Sequence, residues 1–365
     1  MPFEIFDLPD YPCKRDMWDA LREESRPVVV YGMGNGADKL IRRFEKYGIR
    51  IADIFASDGF VRGHHFHGFR VKSFSEIRGE YPEFVIILSF ASNKAEVISM
   101  LEEIDDGYDM LVPDMPVAGE DEYFDREFYN SHYDDIIRAY NSLYDEESKS
   151  VFSAVVNYKL TGKLKYLRRV YSTTRELYSL MPCGNIINSI DAGAYNGDTV
   201  REAKAYFKSL KKVYAIEPDP KNFKKITKYS EAETDIQIDL INAAAWSSDS
   251  FGEFSGSGNR NSTISATASY ENKKTYITLR KIDSIADERI DYIKFDVEGA
   301  EREALFGSYE TIRRDRPTML VSVYHRSRDI FDVINLLHGE FPFYKLYLRR
   351  LRCIPAWELD LILIP

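Results

Sequence analysis

Asp191-Ala192-Gly193-Ala194-Tyr195-Asn196-Gly197-Asp198-Thr199 joins a short apolar run, Asn185–Ile190, to a stretch with helical spacing that begins near Thr199. Strand, glycine-rich turn and helix in that order open a parallel α/β unit. Glycines allow the tight turn and let a ligand approach the backbone. The next apolar run, Val213–Ile216, ends in Glu217-Pro218, and Glu217 stands 26 residues after Asp191. A carboxylate at the end of a second strand can accept hydrogen bonds from both hydroxyls of a ribose. The loop lacks the Gly-Lys-Ser/Thr ending of a phosphate-binding loop. Asp191, ahead of the glycines, would repel a pyrophosphate and suits a cationic or amine-bearing ligand.

Working downstream, Ile236–Ile241 leads into Asn242-Ala243-Ala244, Tyr292–Phe295 ends in Asp296, and Met319–Val323 ends in Tyr324 and His325. Tyr344–Leu348 and Leu359–Ile364 read as a final antiparallel pair. Polar groups recur just after strand ends, the edge of an open α/β sheet where ligands bind.

These residues carry a resemblance. DAGAYNGDT (191–199), AIEPDP (215–220), NAAAW (242–246), IDSI (282–285), DYIKFDVEGAERE (291–303), SVYH (322–325) and ELDLILIP (358–365) resemble the FkbM family of S-adenosylmethionine-dependent methyltransferases. The pieces cover essentially all of 183–365. The one departure is Phe295, where a smaller aliphatic residue is common. The resemblance implies a Rossmann-like class I methyltransferase fold with a mostly parallel seven-stranded sheet. It also implies O-methylation of a hydroxyl on a sugar, glycan or related metabolite. S-adenosyl-L-methionine, with its sulfonium and amino group, agrees with the electrostatics of Asp191. Carried over by position, Asp191, Gly193 and Gly197, with Ala194, Tyr195, Asp198 and Thr199 between and after them, form the cofactor loop. Glu217 and Pro218 hold the ribose, and Ala243, Ala244 and Trp246 border the adenine.

Lys294, Asp296, Glu298 and Glu301 form a second cluster. Strand alternation puts Lys294 and Asp296 on one face, with Glu298 entering the turn at Gly299. Methyl transfer is an in-line displacement that depends on alignment, and a hydroxyl acceptor also needs a base. Asp296 and His325 are the candidates, His325 because its ordinary pKa is near neutrality. Glu301 at a helix start is better explained by the helix dipole, as a residue that stabilises the fold. No metal is expected. His64-His65-Phe66-His67, beside Gly63 and Gly68, reads as an exposed turn. Ser255–Ser269, with Asn259, Arg260 and Ser262, is expected to fold over the site and contact the acceptor.

Upstream, Val28–Tyr31 reads as a buried strand followed by Gly32-Met33-Gly34-Asn35-Gly36-Ala37 and a helix bearing Leu40, Ile41 and Phe44. Asp58 lies 26 residues after Gly32. Residues 27–112 thus look like a smaller Rossmann-type domain similar to those of sugar-modifying enzymes: a degenerate scaffold, an assembly surface or a nucleotide-sugar binder. Residues 1–26 are an N-terminal arm with a polar helix at Arg15–Ser25. Residues 113–182 are a helical connector with helices at Asp134–Leu143, Glu146–Leu160 and Lys163–Leu180. Residues 183–365 are the methyltransferase domain.

The chain has 365 residues, room for two or three domains. With 49 basic and 59 acidic residues its net charge is −10, which argues against nucleic acid as a partner. Three distant cysteines and a proline-broken acidic start fit a reducing, cytoplasmic setting. No apolar run is long enough for membrane insertion. The expected partner is a small-molecule or glycan acceptor, and a homo-oligomer is left open. The rival reading is a non-catalytic nucleotide-binding, sensing or assembly protein built on two Rossmann-like domains.

Overall fold

Val28-Val29-Val30-Tyr31 forms the central strand of a first sheet, with all four side chains buried. Such continuous apolar runs belong to parallel strands covered on both faces. In the computed structural model, which describes residues 6–61, 63–119, 122–255, 263–265 and 275–365, this strand is β1. The others are β2 (Asp53–Ala56), β3 (Lys72–Ser73), β4 (Val85–Leu88) and β5 (Asp109–Leu111). Their order is β3-β2-β1-β4-β5, all parallel.

Helix α1 (Met17–Arg22) is amphipathic rather than polar: Asp16 closes its start in a capping box, and Met17, Trp18 and Leu21 are buried. These three pack with Leu40, Ile41 and Phe44 of α2 (Asn35–Tyr47) on one face of the first sheet. His64, His65 and His67 are exposed on a small hairpin, as expected, with His67 at φ +49° in its turn.

After α3 (Ala95–Gly107) come α4 (Tyr133–Ser142) and α5 (Glu146–Thr161). The expected helix over Lys163–Leu180 breaks into a short turn at Leu164–Tyr166 and α6 (Thr174–Ser179). The break has a local cause. Thr173 and Glu176 form a capping box that starts a new helix. Ser172 meanwhile bridges to Leu351. Helix α5 carries charge at its exposed start, but Ser150–Val156 are buried without a break. A helix apolar all round belongs inside a core. Its Val151, Phe152 and Val155 share one hydrophobic cluster with Val29 and Ile86 of the first sheet and Ile190 and Phe295 of the second.

The second sheet comprises β6 (Asn188–Ala192), β7 (Lys212–Ile216), β8 (Gln237–Ile241), β9 (Tyr292–Phe295), β10 (Thr318–Ser322), β11 (Lys345–Arg350) and β12 (Leu359–Ile364). Its order is β8-β7-β6-β9-β10-β12-β11. It is a mixed sheet: β12 runs antiparallel to both β10 and β11. Between β8 and β9 a small sheet pairs Ala244–Ala245, Ser250–Ser255, Thr263–Ser265 and Thr275–Arg280. Within this sheet Glu253–Ser255 pairs antiparallel with Thr263–Ser265. Among the described residues no helix is long and apolar enough to cross a membrane.

Candidate active site

Strand order in the second sheet reverses between β6 and β9, so the loops leaving these strands part at their carboxyl ends. A cavity of about 680 Å³ opens there, within the roughly 300–1,000 Å³ of small-molecule sites. Its lining includes Gly193, Tyr195, Asp198, Thr199, Glu217, Pro218, Ala244, Lys294, Asp296 and Glu298, all expected from sequence. Eight acidic side chains and two basic ones line it, an excess that favours a cation and disfavours phosphate.

The glycine loop is shaped by strand packing as much as by any ligand. A Cβ on Gly193, at φ +91°, would lie 1.8 Å from the Asp296 carbonyl oxygen. Gly197, at φ +83°, caps α7 (Asp198–Tyr206) and leaves room for the Tyr229 ring. Between them Tyr195 also takes a positive φ and donates its backbone N–H to Glu217 Oε2 at 2.8 Å.

Glu217 Oε1 accepts from the Asp219 amide, also at 2.8 Å. Each carboxylate oxygen has two lone pairs, so both can take a further hydroxyl donor. Burial lifts the Glu217 pKa to about 7, against the pull of those two amides. Asn242 donates its side-chain amide to the Glu217 carbonyl at 2.9 Å and fixes this strand end.

Asp191 lies just behind the main lining, buried beside Lys294. Its Oδ2 accepts from the Thr199 hydroxyl, and its Oδ1 has no partner. Burial raises its pKa, opposed by Lys294 and Thr199. Lys294 is the register partner of Asp191 and reaches Asp296 Oδ2 at 2.9 Å. Burial works against the Lys294 charge, but Asp296 and Asp191 more than offset it and keep the ammonium protonated.

His325 sits differently from the expectation of an accessible base. It is 1% exposed and absent from the cavity lining. Its Nδ1 meets Glu301 Oε1 at 2.9 Å, and its Nε2 lies 3.5 Å from Asp296 and from Glu298. Burial opposes its charge, yet Glu301, Asp296 and Glu298 together push the pKa up to about 10. An imidazolium at neutral pH has no lone pair to take a proton. Glu301 also accepts the amides of Val297 and Gly299, so it holds the turn that carries Glu298 at φ +53°. Among the described residues no group of three or more His, Cys, Asp or Glu is arranged to hold a metal ion.

Three further expected contacts are displaced. Ala194 is fully buried in the core beneath the loop. Ala243 is buried outside the cavity lining. Trp246 is carried off by the small sheet, where its amide bonds to Arg280 and its ring packs against Ala244, Ile277 and Leu279. Asn259, Arg260 and Ser262 lie outside the described residues. Tyr324, noted at the end of its strand, lines the cavity too, and Asp360 was not anticipated. Asp360 faces Ser322 across β10 and β12, and burial raises its pKa to about 8. A lone acid in Leu359-Asp360-Leu361-Ile362-Leu363-Ile364 is the signal that could have found it.

The loop after β6, the acid after β7 and the Lys294–Asp296 pair after β9 fall within one known domain. Residues 191–350 match the methyltransferase FkbM domain. A methyltransferase FkbM from Methylobacillus flagellatus KT has the same fold as this chain, with a TM-score of 0.71 at 20% identity. The likeness covers 95% of this chain and 92% of that one. An rRNA methylase from Streptococcus thermophilus is 15% identical and covers 51% of this chain and 90% of its own, with a TM-score of 0.34. Aeropyrum pernix fibrillarin, solved with S-adenosyl-L-methionine, is 12% identical over 52% of this chain and 74% of its own, also at 0.34. Those two scores are too low to weigh. No curated protein sequence matches the chain.

Proposed function

We propose that this protein transfers the methyl group of S-adenosyl-L-methionine to a hydroxyl of a sugar, glycan or related metabolite. The observation that carries the reading is the placement of Asp296, salt-bridged to Lys294, on the same cavity as Glu217. The residues fit the cofactor. Glu217 has open lone pairs for the two ribose hydroxyls, Asp191 offers an unpartnered buried oxygen, and the acidic lining suits a sulfonium and an amine.

Bound there, the cofactor supplies an electrophilic methyl on a positively charged sulfur. Glu217 and the Tyr195 backbone orient the nucleoside end. Asp198 and the buried Asp191 attract the amino-acid end. Asp296 accepts the proton of the acceptor hydroxyl as its oxygen becomes the nucleophile, a role worth roughly 10²–10⁴-fold in rate. Lys294 aims Asp296 by their direct contact. His325, protonated and held by Glu301, steadies Asp296 and Glu298 from behind.

Calorimetry with S-adenosylmethionine tests the binding half. The wild type should bind, and Glu217→Ala and Asp191→Ala should bind at least tenfold more weakly. No binding by the wild type overturns the reading. Tritiated S-adenosylmethionine with a panel of saccharides tests the transfer half.

A further inference from the structure

The glycine-rich loop after β1 is filled by the protein's own chain. A Cβ on Gly32 would meet the Phe90 ring and the Ser89 hydroxyl, each at 2.7 Å. One on Gly36 would lie 2.1 Å from the Ser89 carbonyl oxygen. The space these glycines leave is therefore taken by Ser89-Phe90, the segment that leaves β4. Ser89 is fastened twice to the Tyr31 carbonyl, by its amide at 3.0 Å and its hydroxyl at 2.9 Å. Phe90 packs edge-on against Tyr31 with centroids 5.0 Å apart.

From that seat the chain crosses to the second sheet. Ser92 and Ile354, in the turn between β11 and β12, exchange both backbone hydrogen bonds, at 2.7 and 2.9 Å. The same turn is stitched to the segment before α6. The Ser172 amide donates to the Arg350 carbonyl at 2.8 Å. The fully buried Arg350 guanidinium donates to the carbonyls of Leu167, Val170, Leu351 and Cys353. The result brings Asn93, Tyr171, Thr174 and Arg352 onto the cavity, beside the ends of β10–β12 and away from Glu217 at β7. Arg352 is paired with Glu102 at 2.8 Å. Among the described residues no hydrogen bond occupies the Asn93 amide or the hydroxyls of Tyr171 and Thr174. Asn93, Tyr171 and Thr174 carry no charge and offer unspent hydrogen-bonding groups, next to the acids Glu358 and Asp360 on the same cavity.

We infer that the first sheet's glycine loop anchors this arm and takes no nucleotide, and that Asn93, Tyr171 and Thr174 form the wall that grips the acceptor. The acceptor class is a neutral, hydroxyl-rich molecule. The Asn93 amide and the Tyr171 and Thr174 hydroxyls on the cavity match its hydroxyls, and the acidic lining disfavours phosphate esters. The inference rests on the hydroxyl-methylation reading above.

The test uses the full chain, tritiated S-adenosylmethionine and a panel of neutral mono- and oligosaccharides. With the best-turned-over saccharide, Asn93→Ala/Thr174→Val should raise acceptor KM at least tenfold. Affinity for S-adenosylhomocysteine, measured by calorimetry, should stay within twofold. Tyr171→Phe, which keeps the ring, should raise KM by a smaller factor. Wild-type transfer with KM unchanged in these variants overturns the inference alone. No wild-type transfer to any saccharide overturns the hydroxyl-methylation reading and the inference with it. Titration with NAD and with UDP-glucose in the absence of acceptor should show no binding to the wild type. Binding that is lost in Gly34→Val would overturn the anchor role of the loop.

Discussion

Lys294 Nζ lies 2.9 Å from Asp296 Oδ2 while its residue stands in register with Asp191 on the neighbouring strand. One buried cation thus stands between two carboxylates, the proposed proton acceptor and the acid proposed to attract the cofactor's amino group. Asp296→Asn keeps the shape and removes the proton acceptor. It should lower the methyl-transfer rate by about 10²–10⁴-fold. S-adenosylhomocysteine affinity should stay within about threefold. Single-turnover kinetics and calorimetry separate the two effects.

Glu217 should make cofactor-site affinity depend on pH. Its folded pKa of about 7 lies above the ordinary 4.5 because burial disfavours the charge. Ribose hydroxyls donate to the ionised form, so affinity for S-adenosylhomocysteine should rise by about tenfold between pH 6 and 8. The contribution to fold stability runs the other way: it is present below about pH 4.5 and lost as pH rises through 7. Glu217→Gln should flatten the affinity profile. Calorimetry across pH 5.5–8.5 reads both slopes.

His325 should contribute to stability with the opposite chemistry. Its pKa is raised from 6.5 to about 10 by carboxylates that outweigh its burial. Its contribution is fully present below about pH 6.5 and fades as pH rises through 10. His325→Gln leaves Glu301 buried beside a neutral partner and should cost about 3–5 kcal/mol. The gap in melting temperature between variant and wild type should narrow above pH 10. A gap that does not change with pH would contradict the assigned charge.

Arg350 is the buried cation that no described carboxylate faces; carbonyl oxygens surround it, and burial lowers its pKa to about 10. Arg350→Met fills similar space and strips four carbonyls of their donor. Such unsatisfied groups cost about 1–3 kcal/mol each before relaxation. A destabilisation of about 3–5 kcal/mol is expected by urea titration. Arg350→Lys should recover part of it.

Much of the site could be read along the chain because it sits on consecutive local units. Strand, turn and helix at 188–206, the acid at Glu217 and Lys294-Phe295-Asp296 each follow from spacing within a few residues. Trp246 could not be placed that way. Its position depends on Ala244–Ala245 pairing with Thr275–Arg280, a contact between distant segments. The charge on His325 depends on Asp296, Glu298 and Glu301, all in the segment that follows β9 and distant from the histidine in sequence. Asn93, Tyr171 and Arg352 reach the cavity through long-range bridges that no periodicity announces. The helix expected over Lys163–Leu180 is interrupted for a local reason, since the capping pair Thr173 and Glu176 starts a new helix.

The bridge between Ser92 and Ile354 also sets a timetable for the newborn chain. The first sheet can assemble while synthesis continues, but its partner in this bridge emerges from the ribosome only near the end. Long sequence separation between paired segments slows folding, and incomplete intermediates expose apolar surface. The mouth of the cavity is therefore among the last features to close. A polypeptide halted before residue 351 lacks Arg352, Glu358 and Asp360 of the cavity lining and the strand that joins β10 to β11.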